Sequence, residues 1–232
     1  MPSTLYLIPI PITEDGLHAL PANIAETINR CEVFFVEDLR TARRTFRKID
    51  RQFNIDAKEW HETGIEEEKT ADAFKKAINE GKQIGIVSES GCPGIADPGQ
   101  KLVAIAHEMG IVIKPLTGPS SLLLALMGSG MNGQQFAFNG YLPIDSKDRE
   151  KKIRELERKV MQEGSTQLFI ETPYRNQVLY EALIKTLSPQ TRLCIAYHLS
   201  AENEWIKTMS VGAWKKESLS LPKDPAVFLI GS

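Results

Sequence analysis

A chain of 232 residues with 42% hydrophobic and 25% charged residues has an ordinary globular composition, enough for one large domain or two small ones. That excludes a disordered chain, a collagen-like repeat and a small disulfide-stapled scaffold. Lys and Arg total 28 against 30 Asp and Glu, a net charge of −2, which excludes nucleic-acid binding through bulk charge and leaves only a local basic patch.

Strands and helices are predicted to alternate along the chain. Residues 5–10 form an apolar run stopped by prolines and read as a first strand; residues 22–28 have helical spacing. A second strand follows at 33–36, then a basic helix at 39–49. The amphipathic helix at 70–78 ends at Gly81, where a C-cap glycine belongs. Next come a strand at 84–87, a helix at 102–109 closed by Gly110, and a strand at 111–116. Repeated β-α units with short loops predict a mostly parallel sheet covered on both faces. Beyond Gly118 the expected elements are a helix at 121–127, a strand at 136–141, a long charged helix at 146–163, a strand at 168–171, a helix at 177–187 and strands at 193–197, 205–211 and 227–230. Residues 205–211 alternate as in an antiparallel sheet. The turn Thr117-Gly118-Pro119 is the expected boundary between two α/β domains, 1–117 and 118–232, the second with a mixed sheet.

Apolar runs such as 122–127 fall far short of the ~20 residues needed to cross a bilayer, and no basic residue precedes an apolar stretch near Met1. Neither a membrane span nor a secretory signal is expected. Cys31, Cys92 and Cys194 are odd in number and far apart, and no pair has zinc-ligand spacing. Reduced thiols in a cytoplasm are the simplest reading. His18, His61, His107 and His198 have no i, i+4 ligand partner, so no metal site is expected.

In open α/β sheets, ligands bind outside the carboxyl ends of the strands. The loops there are Pro9-Ile10-Pro11-Ile12-Thr13, Glu37-Asp38-Leu39-Arg40, residues 88–99, Thr117-Gly118-Pro119-Ser120-Ser121 and Glu171-Thr172-Pro173-Tyr174-Arg175. Any one of them could be an ordinary tight turn, since Gly and Pro dominate turns. The twelve-residue loop 88–99, with three glycines and two prolines, is of a length usually kept for function. Gly128-Ser129-Gly130-Met131-Asn132-Gly133 spells G-x-G-x-x-G but follows an expected helix and precedes an expected strand, the wrong context for a dinucleotide site. Cys92 has no basic or His neighbour in sequence to activate it. The helix starting near Arg40 carries Arg43, Arg44, Arg47 and Lys48, with Arg51 just after. It fits a solvated face and a phosphate-contacting face equally.

Taken together, these loops resemble the tetrapyrrole (corrin/porphyrin) methylase superfamily, and within it the ribosomal RNA small subunit methyltransferase I family. The stretches that carry the likeness are Leu5-Tyr6-Leu7 leading to Pro11-Ile12, Glu37-Asp38-Leu39-Arg40-Thr41, residues 87–99, Gly118-Pro119-Ser120-Ser121, Phe138-Asn139-Gly140-Tyr141-Leu142-Pro143 and Glu171-Thr172-Pro173-Tyr174-Arg175. They run in the family's order over nearly the whole chain. Thr13, Leu39, Thr41, Cys92 and Tyr174 depart from the family's usual Gly, Thr, His, Thr and His.

The resemblance implies two α/β domains with S-adenosylmethionine in the cleft between them, a homodimer, and 2′-O-methylation of a ribose in small-subunit ribosomal RNA. It places cofactor contacts at Pro11, Ser90, Gly91, Ile95, Thr117, Ser120, Ser121, Ile170, Ala196, Pro225 and Ala226. For an acceptor hydroxyl, groups able to take or steer its proton are Glu37, Asp38, His61, Glu62 and Glu89, with Arg40 placed for phosphate; Asp38 and Arg40 stand first. Two alternatives stay open: a tetrapyrrole C-methyltransferase, whose carboxylate-rich substrate would also suit the basic helix, and an RNA-binding homologue that has lost turnover.

Overall fold

Val33-Phe34-Phe35-Val36 is apolar at every position, and the strand it forms is buried on both faces. The computed structural model describes residues 2–232, and the chain falls into two units, one ending at Ser120 and the other spanning Ser121–Ser232. The first unit contains β1 (Thr4–Leu7), β2 (Val33–Val36), β3 (Glu59–Glu62), β4 (Gln83–Val87) and β5 (Val112–Pro115). They form one parallel sheet in the order β3-β2-β4-β1-β5. Side chains alternate across each strand. Phe34 and Val36 join Tyr6, Ile8 and Val87 beneath α1 (Ile24–Arg30) and α2 (Leu39–Ile49). Val33 and Phe35 join Leu5, Ile84 and Ile86 beneath α3 (Glu67–Asn79) and α4 (Gln100–Glu108). The parallel sheet covered on both faces is the expected one.

The second unit contains β6 (Phe136–Tyr141), β7 (Thr166–Glu171), β8 (Arg192–Tyr197), β9 (Trp205–Ser210) and β10 (Ala226–Gly231) in the order β6-β7-β10-β8-β9. Only β6 and β7 are parallel, so the sheet is mixed. Helix α5 (Ser121–Ser129) packs on the face of Leu168, Cys194, Ala196 and Val227. On the other face, α6 (Ser146–Glu163) and α7 (Asn176–Thr186) cover Phe169, Ile195 and Phe228. The apolar stripe of α6, Ile153, Leu156 and Val160, is buried there, and Asp145 caps the helix by accepting the N–H groups of Lys147 and Asp148.

Four departures from the sequence reading stand out, three of them with a local cause. The first strand stops at Leu7 rather than at residue 10, because Pro9 and Pro11 lack N–H donors; beyond it the Ile8 N–H still donates to Ile86 O and Ile10 bridges to Gly91. Glu59–Glu62 is an unexpected edge strand held by β2 alone. Helix α3 begins three residues early, with Glu67 and Glu68 in a first turn where the helix dipole favours acids. The strand expected at 205–211 ends at Ser210, whose hydroxyl accepts the Ala213 N–H and opens the short helix α8 (Val211–Trp214). The G-x-G-x-x-G match begins in the last turn of α5, at Gly128 and Ser129, and runs on toward β6, so it neither follows a strand nor opens a helix.

Candidate functional site

Because the first sheet is parallel, the loops after β1, β2, β4 and β5 all leave by one edge. Three of them interlock. The Ile10 N–H donates to Gly91 O (3.0 Å), and Ser90 Oγ to Ile12 O (3.5 Å). The Cys92 thiol donates to Pro119 O (3.3 Å), so this cysteine does what a threonine hydroxyl would do there. Burial raises its pKa and keeps it a thiol. Gly118 is obligatory for the contact with Pro9: a Cβ on it would sit 2.2 Å from Pro9 Cβ. Gly91 adopts φ +70°, a left-handed turn that glycine makes without strain. The far end of the long loop is closed by Asp97, whose Oδ1 accepts the N–H groups of Gly94 (2.9 Å) and Gly99 (2.8 Å). Burial raises the pKa of that carboxyl, although both hydrogen bonds oppose the shift.

Pro11, Ser90, Gly91, Thr117 and Ser120 therefore lie on interlocked loops at one edge, with Ile95 exposed on the same long loop. Ser121 is the first residue of α5.

The acidic candidates divide by what their oxygens hold. Asp38 is the N-cap of α2, and its Oδ1 accepts the Thr41 N–H at 2.6 Å. Hydrogen bonding from Thr41 holds its carboxyl below the usual range. Glu37 Oε2 accepts the Glu89 N–H (2.8 Å), and Glu62 Oε1 accepts the Leu39 N–H (3.2 Å). His61 stacks on Phe35 and bonds Glu59 (2.8 Å), so it belongs to the outer edge of the sheet. Glu89 and Arg40 are exposed, and neither side chain makes a hydrogen bond or ion pair among the described residues. An Asp38→Ala variant should lose about 1 kcal/mol of stability with the cap. A carboxyl whose folded pKa is depressed stabilises above its unfolded value, near 4, and ceases to do so as pH falls through the folded one. Melting curves of wild type and variant should therefore differ at neutral pH and converge in acid.

An open cavity of about 110 Å³ lies against α2, between it and the loop after β1. Pro11 and Thr13 line it from the loop and Glu89 from the long loop; Thr41, Arg44, Thr45 and Lys48 line it from α2. Positions 41, 44, 45 and 48 share one helix face, so this polar stripe, Thr45 included, is encoded in the spacing of the sequence. Arg43 instead covers Trp60, its guanidinium 5.1 Å from the ring centre.

In the second unit, Ile170 pairs with Val227 and Val227 with Ala196, so three adjacent strands bring Ile170, Ala196 and Ala226 to one end of the sheet, with Pro225 just before β10. Glu171, its side chain 1% exposed, lies 2.9 Å from the Arg175 guanidinium in an ion pair whose atoms are not aligned as a hydrogen bond, and accepts the Thr172 N–H at 2.8 Å. Tyr174 is exposed, with Lys223 over its ring.

Residues 4–213 match the family model of Tetrapyrrole (Corrin/Porphyrin) Methylases. A ribosomal RNA small subunit methyltransferase I of Escherichia coli O157:H7 is 30% identical over 97% of this chain and 77% of its own length. The protein of that name from Vibrio cholerae is 28% identical over 97% and 76%. Among solved structures, a diphthine synthase aligns with TM-score 0.67 at 12% identity, over 99% of this chain and 90% of its own. Uroporphyrin-III C-methyl transferase from Thermus thermophilus, complexed with S-adenosylhomocysteine, aligns with TM-score 0.58 at 14% identity, over 100% and 98%. The family match and these relatives make the chain a methyltransferase that uses S-adenosylmethionine. The chain belongs to the tetrapyrrole methylase family, with ribosomal RNA small subunit methyltransferase I proteins among its relatives.

The donor set fits that cofactor. Residues 88–99 contain no Lys or Arg and two carboxylates, Glu89 and Asp97, a composition compatible with a sulfonium cation. Among the described residues, no group of three or more His, Cys, Asp or Glu could hold a metal, and no helix is long and apolar enough to cross a membrane.

Proposed function

We propose that this protein methylates the 2′-hydroxyl of a ribose in small-subunit ribosomal RNA. The observation that carries this reading is the cavity against α2, where a cofactor-loop residue (Pro11), an unpaired carboxylate (Glu89) and two cations of a basic helix (Arg44 and Lys48) line one space. The relatives of that name supply the acceptor class.

On this reading, Pro11, Ser90, Gly91, Ile95, Thr117, Ser120 and Ser121 hold S-adenosylmethionine through main chain and small side chains, and Ile170, Ala196, Pro225 and Ala226 are the second unit's share. The cofactor supplies a methyl group already activated by its sulfonium, so the protein's work is alignment and removal of one proton. Glu89 is the group free to accept that proton. Glu37 fixes the Glu89 main chain, Asp38 fixes the start of α2, and Arg40 offers an unpaired guanidinium to a phosphate. The enzyme acts in the cytoplasm, where ribosomal subunits mature, and as a homodimer, in keeping with the family resemblance.

The test is incubation with methyl-labelled S-adenosylmethionine and small ribosomal subunits, with uroporphyrinogen as the competing acceptor. Label recovered in a 2′-O-methyl nucleoside is the expected result. Label in the tetrapyrrole would replace this reading with C-methylation. Cofactor binding without transfer to either acceptor would identify a protein that binds and no longer turns over.

A further inference from the structure

We infer that the cavity against α2 is a backbone-phosphate subsite, the first contact of a track that runs along that helix and seats single-stranded RNA next to the methyl donor. This rests on the RNA reading above and adds where the strand binds.

Three observations carry it. The cavity is lined by threonine hydroxyls from two elements, Thr13 from the loop and Thr41 and Thr45 from the helix, and Thr13 Oγ1 is buried without a hydrogen-bond partner. A buried hydroxyl costs free energy unless something bonds it, and an anionic oxygen is a suitable acceptor. Second, Arg44 and Lys48 stand at the same cavity one turn apart. Glu14 and Glu89 also line it, so its own charges balance. However, Arg44 meets Glu14 (3.1 Å) with the two side chains 54% and 77% exposed. A surface pair of that kind contributes little, and a phosphate can take over the guanidinium. Third, the cations continue beyond the cavity. Arg40 stands one turn before Arg44, Arg47 beside Lys48, and Arg51 just past the end of α2, all exposed in a chain whose net charge is −2. Arg47 donates to the main-chain carbonyl of Arg51 (3.1 Å), which ties its guanidinium to the C-terminal end of α2. A row of cations along one helix suits a chain of phosphates better than a single compact anion.

The test uses the full chain and a fluorescein-labelled single-stranded oligoribonucleotide, with affinity measured by anisotropy across a salt series. The double variant Arg44→Gln/Lys48→Gln should bind at least tenfold more weakly. Its plot of log affinity against log salt should be shallower by roughly 1.4, two phosphates at about 0.7 each. Lys69→Gln/Lys76→Gln, which removes the same charge from exposed positions of α3, should keep the wild-type affinity and slope. Circular dichroism and calorimetry with S-adenosylmethionine establish that each variant is folded and loads cofactor. Equal weakening by both double variants would show bulk charge at work and overturn the subsite. So would normal RNA affinity in Arg44→Gln/Lys48→Gln, and if wild type still labels ribosomal subunits, the acceptor reading survives that result. A wild type that neither binds the oligonucleotide nor labels subunits sinks both.

Discussion

Glu89→Gln is expected to slow methyl transfer to small subunits by about 10²–10⁴-fold, the usual contribution of a positioned general base, while the affinity for S-adenosylmethionine stays as in wild type. Glutamine has the shape of glutamate and cannot take a proton. Glu89 is the proposed base because each of the other acidic candidates holds a main-chain N–H. Asp38 Oδ1 is committed to the Thr41 N–H, Glu62 to Leu39, and Glu37 to the main chain of Glu89 itself. Glu37→Gln should therefore behave differently. Its amide oxygen can still accept the Glu89 N–H, so activity should fall only modestly, whereas Glu37→Ala frees the loop and should raise KM along with lowering kcat. Single-turnover rates at saturating substrate separate the roles: the rate should stay low in Glu89→Gln and remain close to wild type in Glu37→Gln. An unchanged rate in Glu89→Gln would remove this residue from the mechanism.

What the sequence disclosed and what it concealed follow a physical line. The two-faced burial of β2 and β4 was legible because a parallel strand covered on both sides has to be apolar at nearly every position. The loops that matter were legible because they follow those strands and concentrate Gly and Pro. Glu59-Trp60-His61-Glu62 was not legible as a strand. It has no apolar period, and its place is fixed by contacts distant in sequence: the ladder with β2 and Trp60 stacked on Phe34 at 4.8 Å. The acidic candidates show the same limit. Asp38 as an N-cap is a local pattern, Asp followed three residues later by the N–H it accepts, and could be read from spacing. That Glu37 is occupied by an N–H from position 89 could not, because only the adjacency of β2 and β4 brings the two together.

Arg175→Leu is expected to destabilise the protein by about 3 kcal/mol, the low end for breaking a buried ion pair, since part of Arg175 remains exposed. The Glu-Thr-Pro-Tyr-Arg stretch was read in sequence as a ligand-side loop, and the structure gives two of its residues a mechanical task. Glu171 is the last residue of β7 and almost wholly buried, and a carboxylate there is tolerable only with its partners, Arg175 at 2.9 Å and the Thr172 N–H. Between them, Thr172 and Pro173 make the bend that leads into α7. The pair thus fixes the exit of β7 beside Ile170, one of the proposed cofactor contacts. Removing the cation leaves an uncompensated buried charge, so Glu171→Gln in the Arg175→Leu background should recover a good part of the loss. Denaturant unfolding of the two single variants and the double variant closes the cycle, and the expected coupling is 1–3 kcal/mol, within the usual range of up to about 3 for residues in contact. If the two losses simply add, the pair is not what holds the bend. A recovery of stability without recovery of S-adenosylmethionine affinity would show that Arg175 also serves the ligand directly.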